Sequence, residues 1–314
     1  MMGFDVVCIG NSAVDVPLNY VDEDILSTDS YVIKRIVPLV GGSGTNVSTV
    51  LAHLGVSVKF VTLLGDDFLG DFLVNHCINA GVDVSGIRRC NTVDTPLSIG
   101  LVKRDGERNF IVSESSSTFQ FSAEDVNLEA VDGVKLLHFA SIFIMPRFDD
   151  QGLTKIFSEA KRKGIIVCAD MMKSRKGERL GAIRSALSFV DYFFANYDEA
   201  SFLTGKTGEQ DIANELLKCG IGNVVIKKGK SGCFIKNSEI EIQCPAFINE
   251  TLVDTIGAGD NFVAGFITGI LDELDIQSCG RLANATASIS VGAVGSTEGV
   301  KNKEQVMKLF NSGQ

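Results

Sequence analysis

The sequence is poor in several things that would point elsewhere. It has no tryptophan, five prolines and three histidines in 314 residues, so neither a proline-rich spacer nor a histidine-rich metal tract is expected. Lys and Arg (29) fall short of Asp and Glu (39), and the net charge of -10 excludes a general electrostatic attraction to nucleic acid or to an anionic membrane. Any anionic ligand must then be met by a local site. No apolar run approaches the roughly 18 residues of a membrane span. The opening MMGFDVVCIG carries Asp5 inside its short apolar stretch and lacks a basic flank, which is not the pattern of a secretory signal. The eight cysteines (Cys8, Cys77, Cys90, Cys168, Cys219, Cys233, Cys244, Cys279) contain no C-x-x-C pair. They read as reduced, mostly buried thiols of a cytoplasmic protein, not as zinc ligands or disulfides. His53, His76 and His138 lack metal spacing and an evident nucleophile partner, which leaves core or surface placement.

Glycine, in contrast, is plentiful at 32 residues, which suits regular elements joined by tight turns. Buried strand-like runs at 6–9, 58–63, 135–139, 165–169, 192–195 and 224–227 alternate with helix-like stretches at 46–54, 67–80, 149–163, 199–203 and 211–219. A long helix from about Ala258 and another over 276–291 close the chain. Repeated β-α units predict a single three-layer α/β/α domain over 1–314, with a mostly parallel central sheet. Two segments break the rhythm. Residues 12–38 and 93–118 read as short alternating strands, the second with a turn at Asp105-Gly106, and are expected to form a small antiparallel lid.

Several familiar phosphate motifs fail on spacing. Gly205-Lys206-Thr207 and Gly229-Lys230-Ser231 resemble the end of a P-loop, but Ala200 and Val224 stand where its first glycine belongs. The dinucleotide fingerprint is absent after the first strand, where the chain reads Gly10-Asn11-Ser12-Ala13. The informative segment is Asp254-Thr255-Ile256-Gly257-Ala258-Gly259-Asp260. Small residues there let a ligand approach the backbone, and the helix they open offers free N–H groups and a positive dipole end to an anion. Asp260, in the first turn, is positioned as a proton acceptor, since phosphoryl transfer needs only a modest base that orients a hydroxyl. A second glycine cluster, Gly41-Gly42-Ser43-Gly44-Thr45-Asn46, also opens a helix, and Asp15 follows the first strand where α/β folds bind ligands.

These residues resemble the ribokinase-like sugar kinases, also called the phosphofructokinase-B type, and within them bacterial sugar kinases of unassigned substrate. The 41–55 segment GGSGTNVSTVLAHLG is similar to the family's first signature and DTIGAGD at 254–260 to its second. The resemblance implies an ATP-dependent kinase that phosphorylates a primary hydroxyl of a sugar or sugar derivative with Mg²⁺, and K⁺ as a further cation. It makes Asp260 the catalytic base and Gly257, Ala258 and Gly259 the anion hole. Asp15, Gly41, Gly42 and Asn46 become acceptor contacts. Asn196 and Glu199 match an N-x-x-E motif, with Asn196 beside the nucleotide and Glu199 acting on magnesium indirectly. Lys228, Gly229, Gly232 and Asn284 fall beside the nucleotide, and Asp254, Ile256 and Gly295 around a monovalent cation. The protein's own partners would be the sugar, ATP and, through the lid, a second copy of the chain.

Departures bear on the acceptor. The family's ribose enzymes carry Asn two residues before the sugar-binding Asp, Lys after the paired Gly, and Glu after the central strand. This chain has Ala13, Ser43 and His138-Phe139-Ala140-Ser141 at those places. Where many members have D-P-N-x-R, it has Asp170-Met171-Met172-Lys173-Ser174-Arg175, so Lys173 or Arg175 is expected to bring a cation to the acceptor or the phosphate. A nucleoside kinase on the same scaffold is the alternative, with Phe110, Phe119, Phe121 or Phe143 stacking on a base. A non-catalytic sensor of sugar or nucleotide is a further one.

Overall fold

The computed structural model describes residues 3–104, 108–127, 129, 132–249 and 251–312. Its strands are β1 Val6–Gly10, β2 Ala13–Asn19, β3 Leu39–Gly41, β4 Val58–Gly65, β5 Asp83–Cys90, β6 Leu97–Val102, β7 Arg108–Val112, β8 Leu136–Ile142, β9 Ile166–Met171, β10 Tyr192–Asn196, β11 Asn223–Lys227, β12 Cys233–Lys236 and β13 Glu241–Cys244. Its helices are α1 Ser43–His53, α2 Phe68–Asn79, α3 Ser117–Gln120, α4 Asp150–Arg162, α5 Arg184–Leu187, α6 Tyr197–Thr204, α7 Glu209–Leu217, α8 Ala258–Leu271, α9 Ile276–Ser290 and α10 Lys303–Phe310.

Nine strands form one sheet in the order β13-β12-β11-β10-β9-β8-β1-β4-β5. From β11 to β5 every pairing is parallel, and the β12–β13 hairpin completes one edge in antiparallel fashion. The central strands read as unbroken apolar runs because helices cover both faces. All of β1 and β8 is buried. On one face Leu153 and Phe157 of α4 and Ile212 of α7 close the core; on the other, Leu51 of α1, Phe266 of α8 and Leu282 of α9 do so. From β1 the chain returns to β4 on one side and later to β8 on the other. The order reverses between β1 and β8, and an open α/β sheet forms its ligand crevice at such a point, beyond the strand C-termini.

The second sheet is small, in the order β3-β2-β6-β7, and it packs on the body through Val14, Leu64 and Leu73. It corrects the sequence reading in two respects. Its central pair, β2 with β6, is parallel, and only the outer pairs are antiparallel. Residues 20–38 contribute no strand, only a short 3-10 turn at Glu23–Leu26, and the antiparallel partner of β2 is β3, just beyond the expected boundary. The expected Asp105-Gly106 turn lies outside the described residues, although β6 and β7 on either side of it pair antiparallel.

Helix starts follow local chemistry. Asp67, Asp149, Asp275 and Asn302 accept a hydrogen bond from the backbone N–H three residues on and so cap α2, α4, α9 and α10. Asn196 and Glu199 form a reciprocal capping box on α6. In contrast, α1, α7 and α8 begin on Gly42, Gly208 and Gly257 with no side-chain cap. Missing from the sequence reading were β5, the β12–β13 hairpin and α10; the apolar run of β12 is only three residues, Cys233-Phe234-Ile235. Among the described residues no helix is long and apolar enough to cross a membrane.

Candidate active site

The site is built where α1 and α8 begin side by side. Asn46, in α1, donates from Nδ2 to Asp260 Oδ2 at 2.7 Å. The opposite end of its amide accepts from Ser296 Oγ at 2.8 Å, and that hydroxyl also reaches the Val40 carbonyl at 3.0 Å. Because an ionised carboxylate only accepts, Asn46 turns its N–H toward Asp260, which leaves its amide oxygen to Ser296. Ser43 adds a second hydrogen bond to the Asp260 carboxylate and accepts one from Ser141 Oγ at 2.8 Å.

The first turn of α8 carries the anion chemistry. Gly257, its N-cap, has φ 75° and ψ -2°, and a Cβ built there would lie 2.4 Å from Ser296 Cβ, so the left-handed turn and the close packing both need glycine. Of the expected anion-hole amides, that of Ala258 turns back to the Thr255 carbonyl at 3.3 Å. The amides of Gly257, Gly259 and Asp260 have no backbone acceptor among the described residues. They are the donors left for an incoming anion, with the helix dipole behind them.

Two cavities meet at this turn. One, of 280 Å³, lies between the body and the small sheet and is lined by Asp15, Gly42, Asn46, Ser98, Arg175, Gly257 and Asp260. The other, of 380 Å³, is lined by Gly229, Phe247, Thr255, Ala258 and Asn284. Thr255 and Ala258 thus face one cavity while Ile256, Gly257 and Asp260 face the other. In the first cavity Asp15 is half-buried and hydrogen-bonded to Ser98, and desolvation holds its carboxyl above the usual range. A Cβ at position 41 would fall 2.0 Å from Asp15 Oδ2, so glycine there makes room for the carboxylate.

Below the turn lies a charged floor that the sequence reading missed. Asp170 is buried at the end of β9 and accepts the Ser141 N–H. Burial pushes its carboxyl up to about 7, against the pull of the Lys227 ammonium, and the neighbouring Asp260 and Glu199 raise it further. Burial likewise raises Asp260 and Glu199. Ser141, whose N–H and hydroxyl both serve the site, has φ 64°, a left-handed strain unusual outside glycine and common at functional positions.

The structure separates neighbours that the sequence could not. Lys173 is exposed and lies over the Phe202 ring at 4.8 Å, away from the cleft, whereas Arg175 enters the cleft with its guanidinium over Phe119 at 5.9 Å. Lys228 is committed elsewhere, to Glu209 Oε2 at 2.7 Å and Gln243 Oε1 at 3.0 Å, and Lys227 is the lysine that faces the floor. Asn284 lines the second cavity, but its amide donors hold the Cys244 and Pro245 carbonyls at 3.1 and 3.0 Å. Gly232 closes its loop by accepting Lys228 N–H at 2.7 Å. Asn196 and Glu199 spend part of their capacity capping α6. Asp254 accepts the N–H groups of Ile256 and Gly295 at 3.0 and 3.2 Å, so those three residues form one cluster beside α8. Phe119 and Phe110 line the 280 Å³ cavity, Phe143 borders an adjoining one, and Phe121 is in the core. Among the described residues, no three His, Cys, Asp or Glu side chains converge on a metal position.

The chain is similar to known proteins over nearly its whole length. The model of the pfkB family of carbohydrate kinases matches residues 4–303. A 2-dehydro-3-deoxygluconokinase of Bacillus subtilis is 26% identical over 280 residues, 86% of either chain. A nucleoside kinase of Methanothermobacter thermautotrophicus is 26% identical over 98% of this chain and 96% of its own. The structure of Arabidopsis thaliana ribokinase complexed with ribose and ATP superposes with a TM-score of 0.84 at 24% identity, covering 99% of each chain.

The floor carboxyls make stability depend on pH. Because Asp170 has its pKa raised from 3.8 to about 7, the folded chain binds a proton there that the unfolded chain has released. This contribution is complete below the unfolded value and is lost as pH rises through the folded one. The melting temperature of the ligand-free protein is expected to fall as pH is raised through about 7, and Asp170→Asn to flatten that dependence. Calorimetry across the range checks both.

Proposed function

The chain belongs to the pfkB family of carbohydrate kinases, and from that premise we propose that it transfers the terminal phosphoryl group of ATP to a primary hydroxyl of a sugar or sugar derivative. The observation that carries this reading is the first turn of α8, exposed to two separate cavities with a carboxylate on one side. In the reading, Asp15 and Ser98 hold acceptor hydroxyls in the 280 Å³ cavity and the nucleotide lies in the 380 Å³ one. Asp260, aimed by Asn46 and Ser43, takes the hydroxyl proton as the new P–O bond forms and the bond to ADP breaks. The amides of Gly257, Gly259 and Asp260 offset the charge on the transferred group.

Magnesium would come with the nucleotide phosphates, and Glu199, in the first turn of α6, is the carboxylate that would meet it indirectly. It would neutralise phosphate charge. A monovalent cation such as K⁺, held by backbone near Asp254, Ile256 and Gly295, belongs to the same reading. Closure of the small sheet over the cleft would keep water from the nucleotide. Its edge strand β7 leaves Phe110 and Ile111 58% and 55% exposed, and pairing of two chains along it would cover them. Ile111→Lys is expected to reduce the sedimentation coefficient to that of a single chain.

Asp260→Asn is expected to lower kcat by about 10²–10⁴-fold, the usual contribution of a general base, with nucleotide binding nearly intact. In the wild type, the acid limb of the rate profile should lie above the ordinary aspartate value, because burial raises this carboxyl and it must be ionised to act. Full turnover by Asp260→Asn would refute the assignment.

Arg175 is the one cation among the cleft-lining residues and makes no ion pair with a described carboxylate. It favours an acceptor with negative charge distal to the reacting hydroxyl. A screen of ADP release over neutral sugars, sugar acids, sugar phosphates and nucleosides tests this. Arg175→Ala is expected to raise KM for the preferred acceptor by about 10-fold or more, as the loss of a charge-assisted hydrogen bond would, while leaving KM for ATP alone. The wall formed by Phe110 and Phe119 supports the second reading, a nucleoside acceptor, and selective turnover of nucleosides in the same screen would establish it.

A further inference from the structure

Lys227 ends β11, half-buried, level with Asn196 at the end of β10, so that it stands between the starts of α6 and α8. A Cβ built on Gly259 would lie 3.2 Å from Lys227 Nζ. The ammonium is therefore packed against the middle of the turn whose amides are open. It acts electrostatically on Asp170, Glu199 and Asp260 and on the buried His138, which face it from β9, α6, α8 and β8. Yet it forms no hydrogen bond or ion pair with any described residue. A purely structural lysine in such company would be expected to dock on one carboxylate, as Lys228 does on Glu209 at 2.7 Å.

We propose that Lys227 is a catalytic cation that contacts the transferred phosphoryl group at the start of α8, sharing it with the Gly259 and Asp260 amides. The proposal rests on the kinase reading given above. Its chemistry is direct: a compact ammonium with three donors can follow the phosphoryl oxygens from ATP to the acceptor, which a fixed amide cannot. Glycine at 259 keeps the space between amide and ammonium open to that group. The lysine adds positive charge that the backbone of an acidic protein must otherwise supply alone, and it offsets the like charges of the floor as Asp260 accepts its proton. The bond that breaks is the one to the ADP oxygen, the bond that forms is to the acceptor oxygen, and Lys227 keeps its protons throughout.

The test compares Lys227→Met, Lys227→Arg and Lys228→Met with the wild type in magnesium-nucleotide binding and in turnover with the acceptor found by the screen. Lys227→Met is expected to weaken ATP binding by about 10-fold or more and ADP binding by less than about 2-fold, and to lower kcat by about 10²–10³-fold, as loss of one charge-stabilising donor does. Acceptor KM should hold, Lys227→Arg should recover part of kcat, and Lys228→Met should leave kcat nearly unchanged. Equal losses of ATP and ADP affinity, or turnover by Lys227→Met close to wild type, would overturn the proposal. If Lys227→Met is too unstable to purify, Lys227→Arg is judged by the same ATP-to-ADP ratio. A wild type that binds ATP and turns over no acceptor contradicts the kinase reading instead, and the binding ratio still decides whether Lys227 meets the terminal phosphate.

Discussion

Everything at the cleft depends on a helix that begins without a side-chain cap. Most longer helices of this chain satisfy one of their first amides with an Asp or Asn side chain. At α8 the cap is Gly257, and the amides that a capping oxygen would take remain free at the seam between two cavities. A glycine cap costs only about a few tenths of a kcal/mol relative to a good side-chain cap, and packing holds the turn in place. Ser296 presses on Gly257, and Asn261 donates to the Gly257 and Ser296 carbonyls at 2.8 and 2.7 Å. The turn is held rigidly while its donors stay unspent, a condition for stabilising charge without reorganisation.

The same constraint accounts for the charge layout. A protein with net charge -10 that receives polyanionic substrates needs its positive potential concentrated. The backbone of α8 supplies part of it, Lys227 lies beneath, and Arg175 lines the 280 Å³ cavity. The carboxylates among these groups are desolvated and raised, Asp170 to about 7, so the floor carries less negative charge near neutral pH than its residue count implies. Opposed to it, Asp15 reaches the 280 Å³ cavity from β2 of the small sheet, whereas Asp260 reaches it from α8 on the body. Movement of one sheet over the other would bring them together.

Much of the architecture was legible because its causes are local. The α8 start is a glycine turn followed by a 3.6-residue apolar repeat, and the central strands are unbroken apolar runs between turn residues. The start of α1 was placed three residues late, at Asn46, because its cap is Gly42 and no Ser, Thr, Asp or Asn marks it. The edge strands escaped for a related reason. β5, Asp83-Val84-Ser85-Gly86-Ile87-Arg88-Arg89-Cys90, is half-buried and charged, and β13 alternates exposed Glu and Gln with apolar residues over four positions. Neither differs locally from a polar loop, and only pairing with a neighbouring strand makes it regular.

By itself the sequence determined the α/β class and the two glycine-opened helices, since each is written in contiguous residues; Asp260, Asn46 and Asp15 were candidates there, and the fold brings them to one cavity. Tertiary structure decided which side chain of an adjacent pair takes part. Lys227 is the last residue of β11 and Lys228 opens the turn after it, so two lysines equivalent in a string part in space, one at the anion turn and the other paired with Glu209. In the loop after β9 the backbone path alone sends Lys173 to Phe202 and Arg175 into the cleft. The raised carboxyl of Asp170 likewise exists only once burial and the Ser141 N–H surround it, because desolvation is a property of what the fold brings near and not of the residue.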